Sequence, residues 1–359
     1  MAEITYDELR LATRNHGMPL EALRWPITPA GLHYLLVHYD IPSLEEHAWS
    51  LSISGAVAHG LELSLAEIRA RPRHTVTTTM ECAGNGRAQL TPRPLSQPWL
   101  VEAVGTAAWT GTQLRPVLEE AGLASDVREL VFMGHDRGIE GDVDQRYARS
   151  LPVDEAVGED VVLAYEMNGS PLPPQHGFPL RLVVAGWYGM TNVKWLTSIT
   201  AVSEPFTGYQ QANAYRLRQD LDDPGTPLTR MLPRALMAPP GVPDFLTRRR
   251  FVPMGRHLLE GRAWSGWDHI ELVEVSTDGG ATWFPADLDE QPRRPWTWRR
   301  WSWVWDASEP GERVLQCRAR DAAGHVQPVD PRWNAQGYAN NAVQRVPVVV
   351  LDEDAGRDV

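Results

Sequence analysis

The sequence predicts an α+β unit followed by an all-β sandwich. Three observations carry this expectation: a change of texture across a proline- and glycine-rich passage, mixed strand and helix signals before it, and short alternating apolar runs after it. The passage reads DDPGTPLTRMLPRALMAPPGVPDF, Asp222 to Phe245, and clustered Pro and Gly punctuate regular structure. The expected domains are residues 1–230 and 231–359. A chain of 359 residues also exceeds what one ordinary core fills, which points to two domains independently.

In the first half RNHG, Arg14 to Gly17, precedes any regular element and reads as an exposed tail. Strand-like runs follow at Trp49 to Ile53, His74 to Met80, Val161 to Tyr165 and Leu180 to Val184, each rich in β-formers. TQLRPVLEEAG predicts a helix, with Thr112 to cap it, Pro116 in an early turn and Gly122 to end it. In the second half IELVEVSTDGGATWF turns at Asp278 to Gly280, and RRWSWVW, RVLQCRA and VQRVPVVV continue the alternation of a sandwich. Nine of the 15 tryptophans fall after residue 260, and Trp301, Trp303 and Trp305 share one face of a strand. That stripe fits a sandwich core or a dimer face, with a sugar-binding platform as the alternative.

Composition excludes several classes of function. Hydrophobic residues at 43% and charged residues at 22% rule out wholesale disorder. With 34 basic against 46 acidic residues, a net of −12, and no concentration of arginine, nucleic acid is not an expected partner. No apolar run nears the ~20 residues of a membrane span, and MAEITYDELR lacks an export signal. The expected compartment is the cytoplasm, or the periplasm if a leader was removed. Two cysteines, Cys82 and Cys317, are too few for a disulfide framework, a four-cysteine zinc site or an iron–sulfur cluster, and no C-x-x-C-H for attached haem occurs.

The densest chemical cluster is TVTTTMECAGNGRAQ, Thr75 to Gln89. A lone cysteine is by default a small buried hydrophobe. Cys82, however, stands at a strand end before a glycine-relaxed loop that carries Arg87, a setting suited to a metal ligand or a nucleophile. A protease reading needs a partner histidine, and the eleven histidines offer no local signature. A second cluster spans Leu163 to Leu196, where His176, Arg181 and Lys194 interrupt uncharged loops and suggest an anion site, plausibly for phosphate. The bland alternative is a turn-capping histidine and a strand-edge arginine. Lys194 favours the anion site, because it is the one lysine in a chain whose other 33 basic residues are arginine. Trp109, Asp136, Tyr147 and Tyr215, taken singly, read as structural.

Taken in order, six motifs resemble the molybdenum cofactor domain of the sulfite oxidase family. They are RNH at Arg14 to His16, MECAGNGR around Cys82, WTGTQL at Trp109 to Leu114, LAYEMNGSPLP, HGFPLR, and VKWL at Val193 to Leu196. The later GRAWSGW, STDGGATW and WNAQGYANNAVQRV resemble that family's immunoglobulin-like dimerisation domain, so the likeness covers nearly the whole chain. It implies an α+β molybdopterin-binding domain of sulfite oxidase type, then an all-β immunoglobulin-like sandwich, in a homodimer.

The resemblance also implies roles. Cys82 would be the one protein ligand to molybdenum, the remaining sulfurs coming from the pterin dithiolene, and Cys317 would only pack. His16, Asp136, His176, Arg181 and Lys194 would hold the pterin and its phosphate. Arg14, Arg87, Trp109 and Tyr215 would line the substrate pocket, with the two arginines focusing positive charge for a small anion, sulfite. Tyr209 competes with Tyr215, since this chain reads YQQANAYR where the family has W-Q-x-x-D-Y-K. The implied activity is oxidation of sulfite to sulfate by oxygen-atom transfer, without haem, electrons passing to an external acceptor such as a cytochrome. Alternatives with the same cofactor are a sulfane dehydrogenase, a nitrate reductase or a sulfoxide reductase. A scaffold acting through its tryptophan-rich strands is the alternative of a different class.

Overall fold

A computed structural model describes residues 4–220 and 222–352. Its first half is built on two sheets. One runs Leu61–Ser64, Ser50–Gly55, Leu196–Val202, Glu129–Glu140, Val143–Pro152, antiparallel except for the Ser50–Gly55 and Leu196–Val202 pair. The other pairs His74–Glu81 with Val104–Gln113, which pairs in turn with Val161–Met167; Ser170–Pro171 and Arg181–Val184 both add to that last strand. Val104–Gln113 is buried along almost its whole length, as the small residues of VGTAAWTGTQ allow. At Gly111 a Cβ would stand 1.9 Å from the carbonyl oxygen of Leu163, so only glycine lets the two strands approach there. Leu51, Ile53, Leu118, Phe132, Leu163 and Leu196 fill the common core.

The helices are short. Leu114–Ala121 ends at Gly122 with φ +69°, as expected, but its N-cap is Gln113 and has no side-chain cap. Thr112 is instead paired with Leu163 in the sheet, which corrects its expected capping role. The tail expected at RNHG is also corrected, because Arg14 is the last residue of the helix Tyr6–Arg14, begun by a Thr5–Glu8 capping box.

The second half is a sandwich. One sheet runs Arg234–Met237, Gly255–Trp264, Arg299–Ala307, Asp287–Leu288; its partner runs Val242–Pro243, Arg250–Pro253, Gln344–Leu351, Gly311–Asp321, Ile270–Ser276, Phe284–Pro285. Trp301 and Trp305 sit in the core between them with Val273, Leu315, Cys317 and Val348. Trp303, on the same strand face, is half-buried and stacks on Phe284 with ring centroids 5.7 Å apart.

Candidate active site

Strand His74–Glu81 delivers the chain into a tightly held loop at Cys82. The Cys82 amide donates to Ala103 O at 2.9 Å, and the Asn85 amide donates back to Cys82 O at 3.0 Å. The Asn85 side chain ties the loop further, donating to the Glu81 carboxylate at 2.9 Å and accepting from the Ala103 amide at 3.1 Å. Gly86 has φ +89°, and a Cβ there would come within 2.7 Å of Asn340 O, so the turn admits only glycine. The second half clamps the same loop. Buried Glu81 pairs with buried Arg234 at 2.9 Å and accepts from Trp264 Nε1, while Ala339 N donates to Ala83 O and Asn340 Nδ2 to Gly86 O, both at 2.8 Å. Breaking such a buried pair from one side costs about 3–5 kcal/mol, so the Cys82 loop is fixed by both halves.

Two cavities meet at this thiol, sharing Cys82, Leu36, His38 and Tyr215 in their walls. The first, a chamber, is lined by Asp136, His176, Arg181 and Lys194. Arg181 is buried, donates to the carbonyls of His176 at 3.0 Å and Asn192 at 3.1 Å, and lies over the Trp109 ring at 4.5 Å. Lys194 Nζ donates to the carbonyls of Leu36 at 2.9 Å and Gln175 at 3.0 Å. Burial pushes Arg181 down to about 10, and burial with the Arg181 charge pushes Lys194 down to about 7. Burial and the neighbouring His33 hold His176 at about 2, and burial raises Asp136 to about 6. Among the described residues the buried Arg181 Nε has no hydrogen-bond partner. Cations crowded this way, with donors to spare, fit an anionic, hydrogen-bonding occupant such as a pterin phosphate.

Cys82 is also buried, and burial raises its thiol while the Arg87 charge opposes the rise. Among the described residues no three metal-ligating side chains converge. A metal at Cys82 would therefore take one thiolate from this chain and its other ligands from the occupant of the chamber, which suits a dithiolene-bearing group.

The second cavity is a cleft walled by Arg87, Gln97, Trp99, Glu140, Tyr215 and Tyr338. Arg87 is buried; its Nε donates to Gln336 O at 2.9 Å, its Nη1 to Gln97 O at 3.1 Å, and its guanidinium lies over the Tyr338 ring at 5.1 Å. Tyr215 shares a hydrogen bond with His38 Nε2 at 2.5 Å and packs on Tyr338 at 5.2 Å. Behind Tyr215, buried Arg149 donates to Gln210 O and lies 5.6 Å from the Tyr215 ring. A π-helical turn at Gln210–Ala214 precedes Tyr215.

Of the residues singled out from sequence, the structure gathers Cys82, Asp136, His176, Arg181 and Lys194 around the chamber and Arg87 and Tyr215 around the cleft. Tyr209 is half-buried, caps the π-helical turn and lines neither cavity. Three of the expected residues line neither cavity. Arg14 is exposed on its helix and donates to the carbonyl of Tyr39, a residue of the cleft wall, at 2.8 Å, while Arg87 itself lines the cleft. His16 is exposed; its backbone pairs with Leu35 of the chamber wall, and its ring acts electrostatically on His33 and His176. Trp109 is fully buried beneath Arg181 and supports that side chain without lining the cleft. Sequence reasoning missed His38, Glu140, Arg149 and Tyr338. The only signal for Tyr338 was its place in YANNA, a run of buried amides in a β half; the others carried none.

Comparison with known proteins places this geometry. Residues 38–210 match the model of an oxidoreductase molybdopterin binding domain, and residues 247–351 that of a Mo-co oxidoreductase dimerisation domain. The chain is 36% identical over 336 residues to a sulfite oxidase of Gallus gallus, covering 89% of this chain and 72% of that protein. It is 35% identical over 342 residues to a mitochondrial sulfite oxidase of Mus musculus, covering 90% of this chain but only 62% of that protein's length. It is 30% identical to an NAD(P)H nitrate reductase of Hordeum vulgare over 92% of this chain and 40% of that protein. The solved structure of the sulfane dehydrogenase SoxCD from Paracoccus pantotrophus matches with a TM-score of 0.80 and 25% identity, covering 98% of this chain and 93% of that one. The chain belongs to the sulfite oxidase family of molybdopterin-dependent oxidoreductases.

Proposed function

We propose that this chain oxidises sulfite to sulfate with a bound molybdenum–pterin group, as a homodimer that passes electrons to an external acceptor such as a cytochrome. The observation that carries the reading is the placement of Cys82 at the junction of a cation-lined chamber and a separate cleft holding one arginine. Sulfite and water become sulfate, two protons and two electrons, and the acceptor takes the electrons. When bound, the cofactor supplies oxygen-atom transfer to sulfur and stores the electrons.

The chain's own residues do the rest. Arg181, Lys194 and His176 would hold the anionic tail, and Asp136 would accept from the pterin ring. Cys82 would fix the metal where chamber and cleft join, its loop pinned by Asn85 and by Asn340 from the second half. In the cleft Arg87 would orient the anion, since only two of its five donors are committed to the carbonyls of Gln336 and Gln97 among the described residues. The Tyr215 hydroxyl, bonded to His38, would give or take a proton as water is consumed. Trp99, Tyr215 and Tyr338 narrow the cleft and limit solvent.

A second reading, oxidation of sulfane sulfur, is favoured by the match to SoxCD over nearly the whole chain. Molybdenum-loaded protein assayed for dye reduction with sulfite, a sulfane donor, sulfoxides and nitrate tests both. About one molybdenum per chain and the highest kcat/KM with sulfite are expected; a metal-free chain, or preference for another substrate, would overturn the sulfite reading.

A further inference from the structure

The cleft beside Cys82 contains a second charge that the proposed reaction leaves unused. Glu140 shares its wall with Arg87. It ends the strand Glu129–Glu140 four residues beyond Asp136, so that Asp136 lines the chamber and Glu140 the cleft. Glu140 Oε2 accepts from Gln210 Nε2 at 2.6 Å and from the Tyr39 hydroxyl at 3.0 Å, so the carboxylate is pinned at the wall. Arg87 spends donors only on the carbonyls of Gln336 and Gln97. One cation and one carboxylate therefore face the same space, each without a counter-charge on its own side chain's contacts.

We infer that Glu140 is a specificity-determining residue that makes the cleft select singly charged over doubly charged anions. A dianion gains twice as much as a monoanion from Arg87 and loses twice as much to Glu140, while its desolvation costs far more. With the two wall charges opposed, the net attraction for a doubly charged product is small, and sulfate leaves a site where arginine alone would hold it. The preferred substrate class is accordingly a sulfur centre with at most one negative charge at its reacting end, hydrogen sulfite among the small anions.

This inference rests on the cleft being the substrate site, and its test reads binding, not turnover. In Glu140→Gln the side-chain oxygen still accepts from Tyr39 and Gln210, and only the charge is removed. Cofactor-loaded wild type and variant are titrated calorimetrically with sulfate, nitrate and neutral dimethyl sulfoxide. Sulfate affinity is expected to rise about tenfold and nitrate affinity about threefold, in proportion to charge, with no change for the sulfoxide. Glu140→Asp, which keeps the charge, should leave sulfate affinity within about twofold. An equal shift for all three probes, no shift for sulfate, or an aspartate variant that matches the glutamine variant would overturn the inference. Loss of sulfite oxidation with an intact charge series would refute the proposed reaction alone; a flat series with intact oxidation would refute the role of Glu140 alone.

Discussion

On one side of Cys82, Arg181, Lys194 and His176 share a chamber with a single carboxyl group, Asp136; on the other, Arg87 and Glu140 share a cleft. The chamber sets one carboxyl group against the two side chains Arg181 and Lys194, and burial holds Arg181, Lys194 and His176 below their ordinary values. An anionic occupant reverses that penalty, so it is held tightly and does not exchange. The cleft is nearly neutral and aromatic, which suits a molecule that must enter and leave. One thiol thus divides a region built for retention from a region built for turnover.

If that division is correct, the largest effect belongs to the junction. Cys82→Ser should keep the fold, since the side chains are close in volume, and abolish sulfite-dependent dye reduction; retained turnover would remove Cys82 from the metal. Next comes the retaining side: Arg181→Met should lower the molybdenum and pterin bound per chain at least about tenfold while circular dichroism stays native, because charge-assisted bonds contribute ~1.5–3 kcal/mol each. On the exchanging side Arg87→Met should raise KM for sulfite by roughly 10–100-fold and leave the bound molybdenum unchanged. A loss of metal in that variant would erase the distinction between the two cavities.

The smallest effect concerns pH. His33 is held at about 4 and His176 at about 2 by burial, so between those values and the ordinary histidine range the unfolded chain binds protons that the folded chain refuses. Stability of cofactor-free protein should therefore fall as pH drops from about 6.5 to 4. Asp136, raised to about 6, acts in the opposite direction and partly offsets the fall below that pH. His176→Asn should flatten the dependence by up to ~1.4 kcal/mol per pH unit, measured from urea midpoints; an unchanged slope would mean that His176 protonates freely in the fold.

Local chemistry explains which site residues could be read early. Cys82 and Arg87 share one loop whose glycines advertise a tight turn, and His176, Arg181 and Lys194 lie within one stretch of otherwise uncharged chain. Their proximity in space follows from proximity in sequence. Arg14, His16 and Trp109 lie outside both cavity walls for the complementary reason. A motif names residue types but not the direction in which a side chain points, and the helix Tyr6–Arg14 and the buried strand Val104–Gln113 decide those directions. Tyr338 reaches Arg87 across about 250 positions of chain, a contact no local pattern encodes.

Composition and periodicity were enough to define a sandwich after a mixed unit, with one cysteine in a glycine-relaxed loop and one anion-seeking cluster, because those features depend on near neighbours and on the apolar alternation of each strand. Packing alone settled that Glu140 and Arg87 line one cleft, that His38 bonds Tyr215, and that the second half closes the Cys82 loop through Arg234 and Asn340. Charges and hydrogen bonds act through space, and their partners are chosen only when distant strands are brought within a few ångströms.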